Sequence, residues 1–492
     1  MATRLNRVVA LSRPTGDGKT LAMEGSVLAL RCVALFIVPN VTLAEFQAER
    51  FRQDAFDVVN LEDIKSNNDA ASLKAFVKRI GKNKKLRKKQ RLIIVCSPSS
   101  LADPDFKWCK YFTRLAWRGI LKLVVFDECH LMPQHGKVFR QAQYDYISSQ
   151  FFEKIQQRSI RPQMLFASAT FDDTTLEDIE EMCHFKFTDG IFATPAEMEC
   201  RKLQYHVSVR SPKFSTSTVK KIVVDQALIE NGVNVVVSTN SKSRVPKLQG
   251  HLRLSSVGTE RENIVVLAIH GDCPSNVKTS FVSVFCEQKP DHALSPDANV
   301  MVISANTGSE GYDNHAIGTV IHEGAATSVA QLKQEAGRCR CLYDNRSYHH
   351  YSFLSLHDLL LCRYVCLYNK PDDRNILRNS GQPVWIEEGR ERGLRHLYES
   401  YEFYLTSECY HLRMEQRYGR VVSDADRPLE RCYTNCPSCN GELELNTIAV
   451  DVNEMKDLLL SLFVHDEIKD NAKFVNISLL LCTLVFSPLN LL

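Results

Sequence analysis

A chain of 492 residues is too long for one hydrophobic core, so two or three domains are expected; its 44% apolar and 24% charged residues exclude a disordered or fibrous chain. With 61 basic against 58 acidic residues the net charge is only +3, so any surface for a polyanion has to come from local clusters. The start, Met1-Ala-Thr-Arg-Leu-Asn-Arg7, has no secretory apolar core, which points to an intracellular, reducing setting where the 17 cysteines are buried thiols or metal ligands rather than disulfides.

The first stretch reads as strand, tight loop and helix: Arg7 to Arg13, Pro14 to Thr20, Leu21 to Leu30. Gly16 and Gly18 let consecutive backbone N–H groups turn inward, and the following helix offers the positive end of its dipole, which together make a cradle for nucleotide phosphates. Lys19 would meet the β/γ-phosphates and Thr20 would offer its hydroxyl to Mg²⁺. Asp17 is the odd member, since a carboxylate near a triphosphate has to point to solvent. Four apolar runs follow, Cys32 to Pro39, Arg91 to Pro98, Leu121 to Asp127 and Gln163 to Thr170, separated by helix-length segments. That alternation predicts an open parallel sheet, whose ligands gather at the carboxyl ends of the strands. Thr15 to Thr20, Pro39, Ser97, Asp127-Glu128 and Ser168 to Thr170 would converge there. Asp127 would hold Mg²⁺, and Glu128 would orient and deprotonate the attacking water. A basic cluster from Lys78 to Arg91 reads either as a solvated face or as a contact for nucleic acid or nuclear import.

A second α/β lobe is expected from Leu203, with strands at Val233 to Thr239, Val265 to His270, Val300 to Ser304 and Thr319 to His322. A helix over Gln331 to Arg340 would set Gln334 and Arg338 one turn apart on the same side. This lobe has no phosphate loop, so the two lobes would share one nucleotide, with an arginine of the second neutralising transition-state charge. Late in the chain, Cys409, Cys432, Cys436 and Cys439 can close tetrahedrally on Zn²⁺, with Pro437 and Gly441 supplying tight turns; His411 in place of one ligand, or four inert thiols, are the alternatives. The apolar end from Phe474 to Leu492 is short for a membrane span and carries Asn476, Ser478, Pro488 and Asn490, so a packed or truncated tail is expected and no membrane.

Together these blocks resemble a superfamily-two helicase and, within that superfamily, the RecQ family of DNA helicases. The superfamily blocks are Gly16-Asp-Gly-Lys-Thr20, Asp127-Glu-Cys-His130, Ser168-Ala-Thr170, Ser309-Glu-Gly-Tyr-Asp313 and Gln334-Glu-Ala-Gly-Arg338. Gln134-His-Gly-Lys-Val-Phe-Arg140 with Tyr144 is similar to the RecQ aromatic-rich loop, although His135 stands where that family has tryptophan. Ala268-Ile-His270-Gly271 is similar to a further RecQ stretch. The resemblance implies two RecA-like parallel-sheet lobes, residues 1–202 and 203–358, followed by a small helical zinc-binding subdomain over 359–445 and an apolar tail over 446–492. It implies ATP and Mg²⁺ bound by Gly16, Gly18, Lys19, Thr20, Asp127, Gln334 and Arg340, with Lys19, Asp127, Glu128 and Arg338 catalytic. Gln134, His135, Phe139, Arg140, Ser168 and Thr170 would contact DNA and couple it to hydrolysis, and Zn²⁺ on the four cysteines would be structural.

Cys341 takes the place of the last arginine of the family's final motif, with Arg340 before it, an ending similar to that of herpesvirus-type origin-binding helicases; which arginine is the finger stays open. The family's adenine-recognition segment has no counterpart ahead of the first strand, so the chain is expected to be a fragment or to hold adenine loosely. The expected function is a monomeric 3′→5′ helicase on single-stranded and branched DNA in repair or recombination, nuclear in a eukaryote and cytoplasmic otherwise. The alternatives are an RNA-directed helicase, since Asp-Glu-x-His is widely shared, and a binding protein of this fold that no longer hydrolyses ATP.

Overall fold

The computed structural model describes residues 8–13, 18–54, 56–83, 91–136, 140–187, 191–193, 203–210, 234–256, 265–270, 299–304, 316–324, 326–341, 348–355, 408–418 and 436–440, with single positions between them. The Ser309 to Asp313 block and the apolar tail lie outside those residues.

In the first lobe, strands β1 (Val8–Ser12), β2 (Val33–Ile37), β3 (Asp57–Asn60), β4 (Leu92–Cys96), β5 (Leu121–Phe126), β6 (Gln163–Ser168) and β7 (Ile191–Ala193) form one sheet in the order β3-β4-β2-β5-β6-β1-β7. Every pairing is parallel. The apolar runs explain why. In β2, Val33, Leu35 and Ile37 enter one core with Val77 and Phe112, while Ala34 and Phe36 enter the opposite core with Val27, Ala44 and Phe51. A strand buried on both faces needs helices over both, which parallel crossovers supply. Each large side chain so buried contributes about 2–3 kcal/mol.

Helices α1 (Lys19–Leu30), α2 (Val41–Gln53), α3 (Asn67–Lys82) and α4 (Trp108–Trp117) cover the sheet, and their starts are set by local chemistry. The Asn40 side chain accepts from the Leu43 amide at 2.8 Å to cap α2. Ser66 and Asp69 form a reciprocal capping box on α3. Cys96, Cys109, Cys129 and Cys183 are sealed in the core, and burial pushes the Cys109 thiol up to about 12.

The second lobe repeats the architecture, with helix α8 (Arg244–Ser256) packed on its sheet through Val245, Leu248 and Leu252. Strands β8 (Leu203–Arg210), β9 (Asn234–Thr239), β10 (Val265–Ile269), β11 (Asn299–Ser304), β12 (Ala316–Glu323) and β14 (Tyr348–Ser355) run parallel in the order β10-β11-β9-β12-β14-β8, and β13 (Arg340–Cys341) adds antiparallel to β12. No helix among the described residues is long and apolar enough to cross a membrane.

Two local readings are corrected. The stretch from Gln134 to Tyr144, likened to the RecQ aromatic-rich loop, includes the end of α5 (Leu131–Gly136) and the start of α6 (Gln141–Ile147). The helix expected over Gln331 to Arg340 is α9, Val329–Ala336, started by Ser328, whose side chain accepts from the Gln331 amide. It stops because the chain turns at Gly337 so that Arg340 can pair with Ile317, leaving Arg338 in the turn and Arg340 on a strand. Strands β3, β7, β8, β13 and β14 were not anticipated.

Candidate nucleotide site between the lobes

Gly18 precedes α1 with φ 73, a left-handed conformation that glycine adopts without strain. The first turn of α1 carries no acidic residue, so the positive end of the helix is left for an anion. Lys19 is 8% exposed, and its Nζ lies 3.2 Å from Glu128 Oε1. Thr20 is half-buried beside it. Gly16 lies outside the described residues.

The acids sit on a turn clamped between neighbouring strands. The Asp127 amide donates to the Ile37 carbonyl at 3.0 Å and the Cys129 amide to the Ala167 carbonyl at 3.1 Å. Between those anchors Glu128 has φ 46, an uncommon conformation for a residue with a Cβ that costs about 1–3 kcal/mol. Burial and the neighbouring Glu128 charge raise the Asp127 carboxyl to about 7. Burial also works against Glu128, but Lys19 and Arg338 hold its carboxyl below the usual value. Glu128 Oε2 is buried without a hydrogen-bond partner among the described residues, 3.4 Å from His130 Nδ1, which leaves that oxygen able to accept a proton.

His130, 1% exposed, joins the two lobes. Burial drives its imidazole down to about 4, so the ring is neutral. Its Nε2 lies 2.8 Å from Gln334 Nε2 of α9, and its Nδ1 lies 2.8 Å from Ser168 Oγ at the end of β6. With the glutamine amide donating to Nε2, the proton is assigned to Nδ1 and is given to Ser168. Ser168 Oγ in turn accepts from the Thr170 amide at 2.9 Å.

Lys19, Asp127, Glu128, Ser168, Thr170, Gln334 and Arg338 therefore meet at one place, Arg338 being 6% exposed and near enough to lower the Glu128 carboxyl. His130 was not among the expected site residues, although its place in Asp127-Glu-Cys-His130 was the available signal. Arg140 stands at the edge of the site, its Nη1 donating to the Pro39 carbonyl. Gln134 and His135 have helical backbone in α5 and Arg340 a strand backbone; their side chains, and Phe139 entirely, lie outside the described residues.

Behind α9 is a buried acid that the sequence reading did not single out. Glu335 is 0% exposed; it accepts from Ser238 Oγ at 2.9 Å and Gln331 Nε2 at 3.0 Å, and its other oxygen pairs with His322 Nδ1. Burial would raise its carboxyl, but His322 and these hydrogen bonds bring it down to about 2. The group thus ties α9 to β9 and β12 and fixes where Gln334 and Arg338 emerge. A carboxylate depressed from 4.5 to about 2 contributes stability present above pH 4.5 and lost as pH falls through the lower value. Glu335→Gln is expected to cost on the order of 3 kcal/mol at pH 7, with the gap to wild type narrowing below pH ~4 in thermal melts. Superimposable melts at pH 7 would refute this.

The four late cysteines also meet. Their sulfurs all lie within 4.8 Å of one another, with Cys432 to Cys436 at 3.4 Å and Cys436 to Cys409 at 3.9 Å. A tetrahedron of Zn–S bonds of ~2.3 Å has edges of ~3.8 Å, so the set fits Zn²⁺. The Cys432 amide donates to Cys409 Sγ at 3.3 Å, which favours a thiolate there. His411 is outside the cluster, its ring 5.2 Å from that of Tyr205 on β8. Cys409 leads into α10 (Tyr410–Tyr418), which lays Tyr410, Met414 and Tyr418 into the core of the second lobe.

Residues 2–179 match the DEAD/DEAH box helicase family and residues 216–341 the helicase conserved C-terminal domain. A Caenorhabditis elegans protein named as an ATP-dependent DNA helicase Q1 is 24% identical over 333 residues, 67% of this chain and 47% of that protein. The chain thus spans about half the length of this curated relative. Among solved structures, the DEAD-box helicase Mss116 bound to single-stranded RNA has a TM-score of 0.53 at 15% identity, covering 87% of this chain and 85% of that one. The DUF1998 helicase MrfA bound to DNA has a TM-score of 0.51 at 17% identity, covering 76% of this chain and 48% of that one. At such identities the two structures share the fold.

Proposed function

We propose that this chain, whose two lobes are those of a superfamily-two helicase, is an ATP-driven RecQ-type motor that moves 3′→5′ along single-stranded DNA and separates duplex in repair or recombination. The observation that carries the reading is the contact of Gln334 with His130 beside the Lys19–Glu128 pair, because a site completed by both lobes can turn hydrolysis into relative motion.

In this reading Gly16, Gly18, Lys19 and Thr20 hold the phosphates and Asp127 carries Mg²⁺. Glu128 takes the proton from the attacking water, and Arg338 answers the charge that develops on the γ-phosphate, with Gln334 and Arg340 lining the second side. Lys19 leaves Glu128 for the phosphates when nucleotide enters, which frees the carboxylate to act as base. Ser168, bonded to His130, and Thr170, bonded to Ser168, relay closure toward the strand path, where Gln134, His135, Phe139 and Arg140 contact DNA. Cys409, Cys432, Cys436 and Cys439 would hold Zn²⁺, which would fasten α10 to the second lobe.

DNA rather than RNA is favoured by the sequence match to the helicase Q1 relative. The test is ATP turnover with matched single-stranded DNA and RNA oligomers. Stimulation by DNA at least ~10-fold above that by RNA supports the proposal. Stimulation by RNA alone supports the RNA-directed alternative, and no turnover with either supports a binding protein of helicase fold.

A further inference from the structure

The last turn of α10 touches both sides of the nucleotide cleft. Arg417 Nε and Nη2 donate to Asp172 Oδ2 at 3.1 and 2.8 Å, and Nη2 also donates to Glu399 Oε2 at 2.6 Å. Asp172 belongs to the first lobe, two residues after Thr170. Its other oxygen caps α7 (Asp173–Cys183), accepting from the Thr175 amide at 2.9 Å and the Thr175 hydroxyl at 2.5 Å. The neighbour of Arg417, Tyr418, is wholly buried and carries Lys333 Nζ 4.9 Å from its ring centre. Lys333 precedes Gln334 on α9.

These contacts close a ring. Thr170 bonds Ser168, Ser168 bonds His130, and His130 bonds Gln334 across the cleft. Lys333 then sits on Tyr418, and Arg417 returns to Asp172 and so to the segment that holds Thr170. The ion pair is sheltered, with side-chain exposures of 27% for Arg417 and 12% for Asp172, and is less open to screening than a surface pair. Burial opposes the charge on Asp172, yet Arg417 and Thr175 hold its carboxyl below the usual value.

We infer that Arg417 and Asp172 are positioning residues for ATP hydrolysis: the pair clasps the two lobes from outside the nucleotide site and keeps Gln334 and Arg338 aimed at His130 and Glu128. The inference deepens the motor reading and rests on it for its kinetic arm. Opening the cleft then means breaking the His130–Gln334 bond and the clasp together, so closure is cooperative rather than a sum of weak contacts.

The test uses Arg417→Ala, Asp172→Asn and the double variant in the full chain. Asparagine keeps the cap on α7, so Asp172→Asn removes the charge while sparing the helix start. Each single variant is expected to lower kcat for nucleic-acid-stimulated hydrolysis about 10-fold, with KM for ATP within about 2-fold and the double variant no worse than either single one. Amide exchange in residues 329–336 should quicken at least ~3-fold in both single variants. Additive losses, unchanged exchange in that segment, or a kcat loss that follows a fall in thermal midpoint would overturn the clasp. Wild-type protein without ATP turnover would sink the motor reading instead, and the exchange arm then decides the clasp alone.

Discussion

The Glu128→Gln variant is expected to bind ATP and nucleic acid and to hydrolyse ATP about 10³-fold more slowly than wild type, the usual contribution of a positioned general base. The expectation follows from how the carboxylate is held. Lys19 and Arg338 keep Glu128 anionic in a buried setting, and one of its oxygens has no hydrogen-bond partner among the described residues. An amide has the same shape and fits the same strained turn at φ 46, so the fold is retained, but it cannot take a proton from water. Single-turnover hydrolysis under saturating ATP isolates the chemical step. A rate within 3-fold of wild type would remove Glu128 from the role of base.

Substituting Cys436→Ser is expected to abolish zinc binding and to melt α10 from the second lobe. The metal's binding free energy in such sites, about 10–16 kcal/mol, is largely folding free energy of the surrounding segment. Cys436 is 0% exposed with sulfurs on two sides, so serine's harder, protonated oxygen leaves a three-ligand site. Metal analysis should fall from one zinc per chain to none. Amide exchange over residues 410–418 should rise to the rate of unstructured peptide, because Tyr410, Met414 and Tyr418 lose their seat. Metal-free wild-type protein with the same exchange and thermal midpoint as the zinc-loaded form would show four inert thiols.

Where sequence and structure agree, the signal was local. Val33 to Ile37 is an unbroken apolar run, and only a strand covered on both faces can use one. Lys19 and Glu128 stood at ends of such runs, so the fold itself explains why residues 109 apart meet. Strand β14, Tyr-His-His-Tyr-Ser-Phe-Leu-Ser, escaped notice because its polar and aromatic residues carry no apolar run, and its burial comes from neighbours supplied by other segments. The place of Arg338 was half legible. Helical periodicity put it on the face of Gln334, whereas the turn at Gly337 and the pairing of Arg340 with Ile317 carry it beyond the helix and still into the cleft. The Asp172–Arg417 pair spans 245 residues of sequence, and no spacing rule reaches that far. Glu335 was hidden for another reason: inside a recognised motif, a charged residue reads as exposed unless its partners Ser238 and His322 are seen.

The sealed cysteines of the first lobe have a consequence for its chemistry. Cys96, Cys129 and Cys183 have no exposure beyond 1%, and burial keeps all three thiols protonated far above neutrality. Alkylating reagents attack thiolates, so these positions stay silent while the sheet is intact and become reactive only when it comes apart. Uptake of such a reagent is therefore a clock for the breathing of the first lobe, wound by thiols sealed in its core.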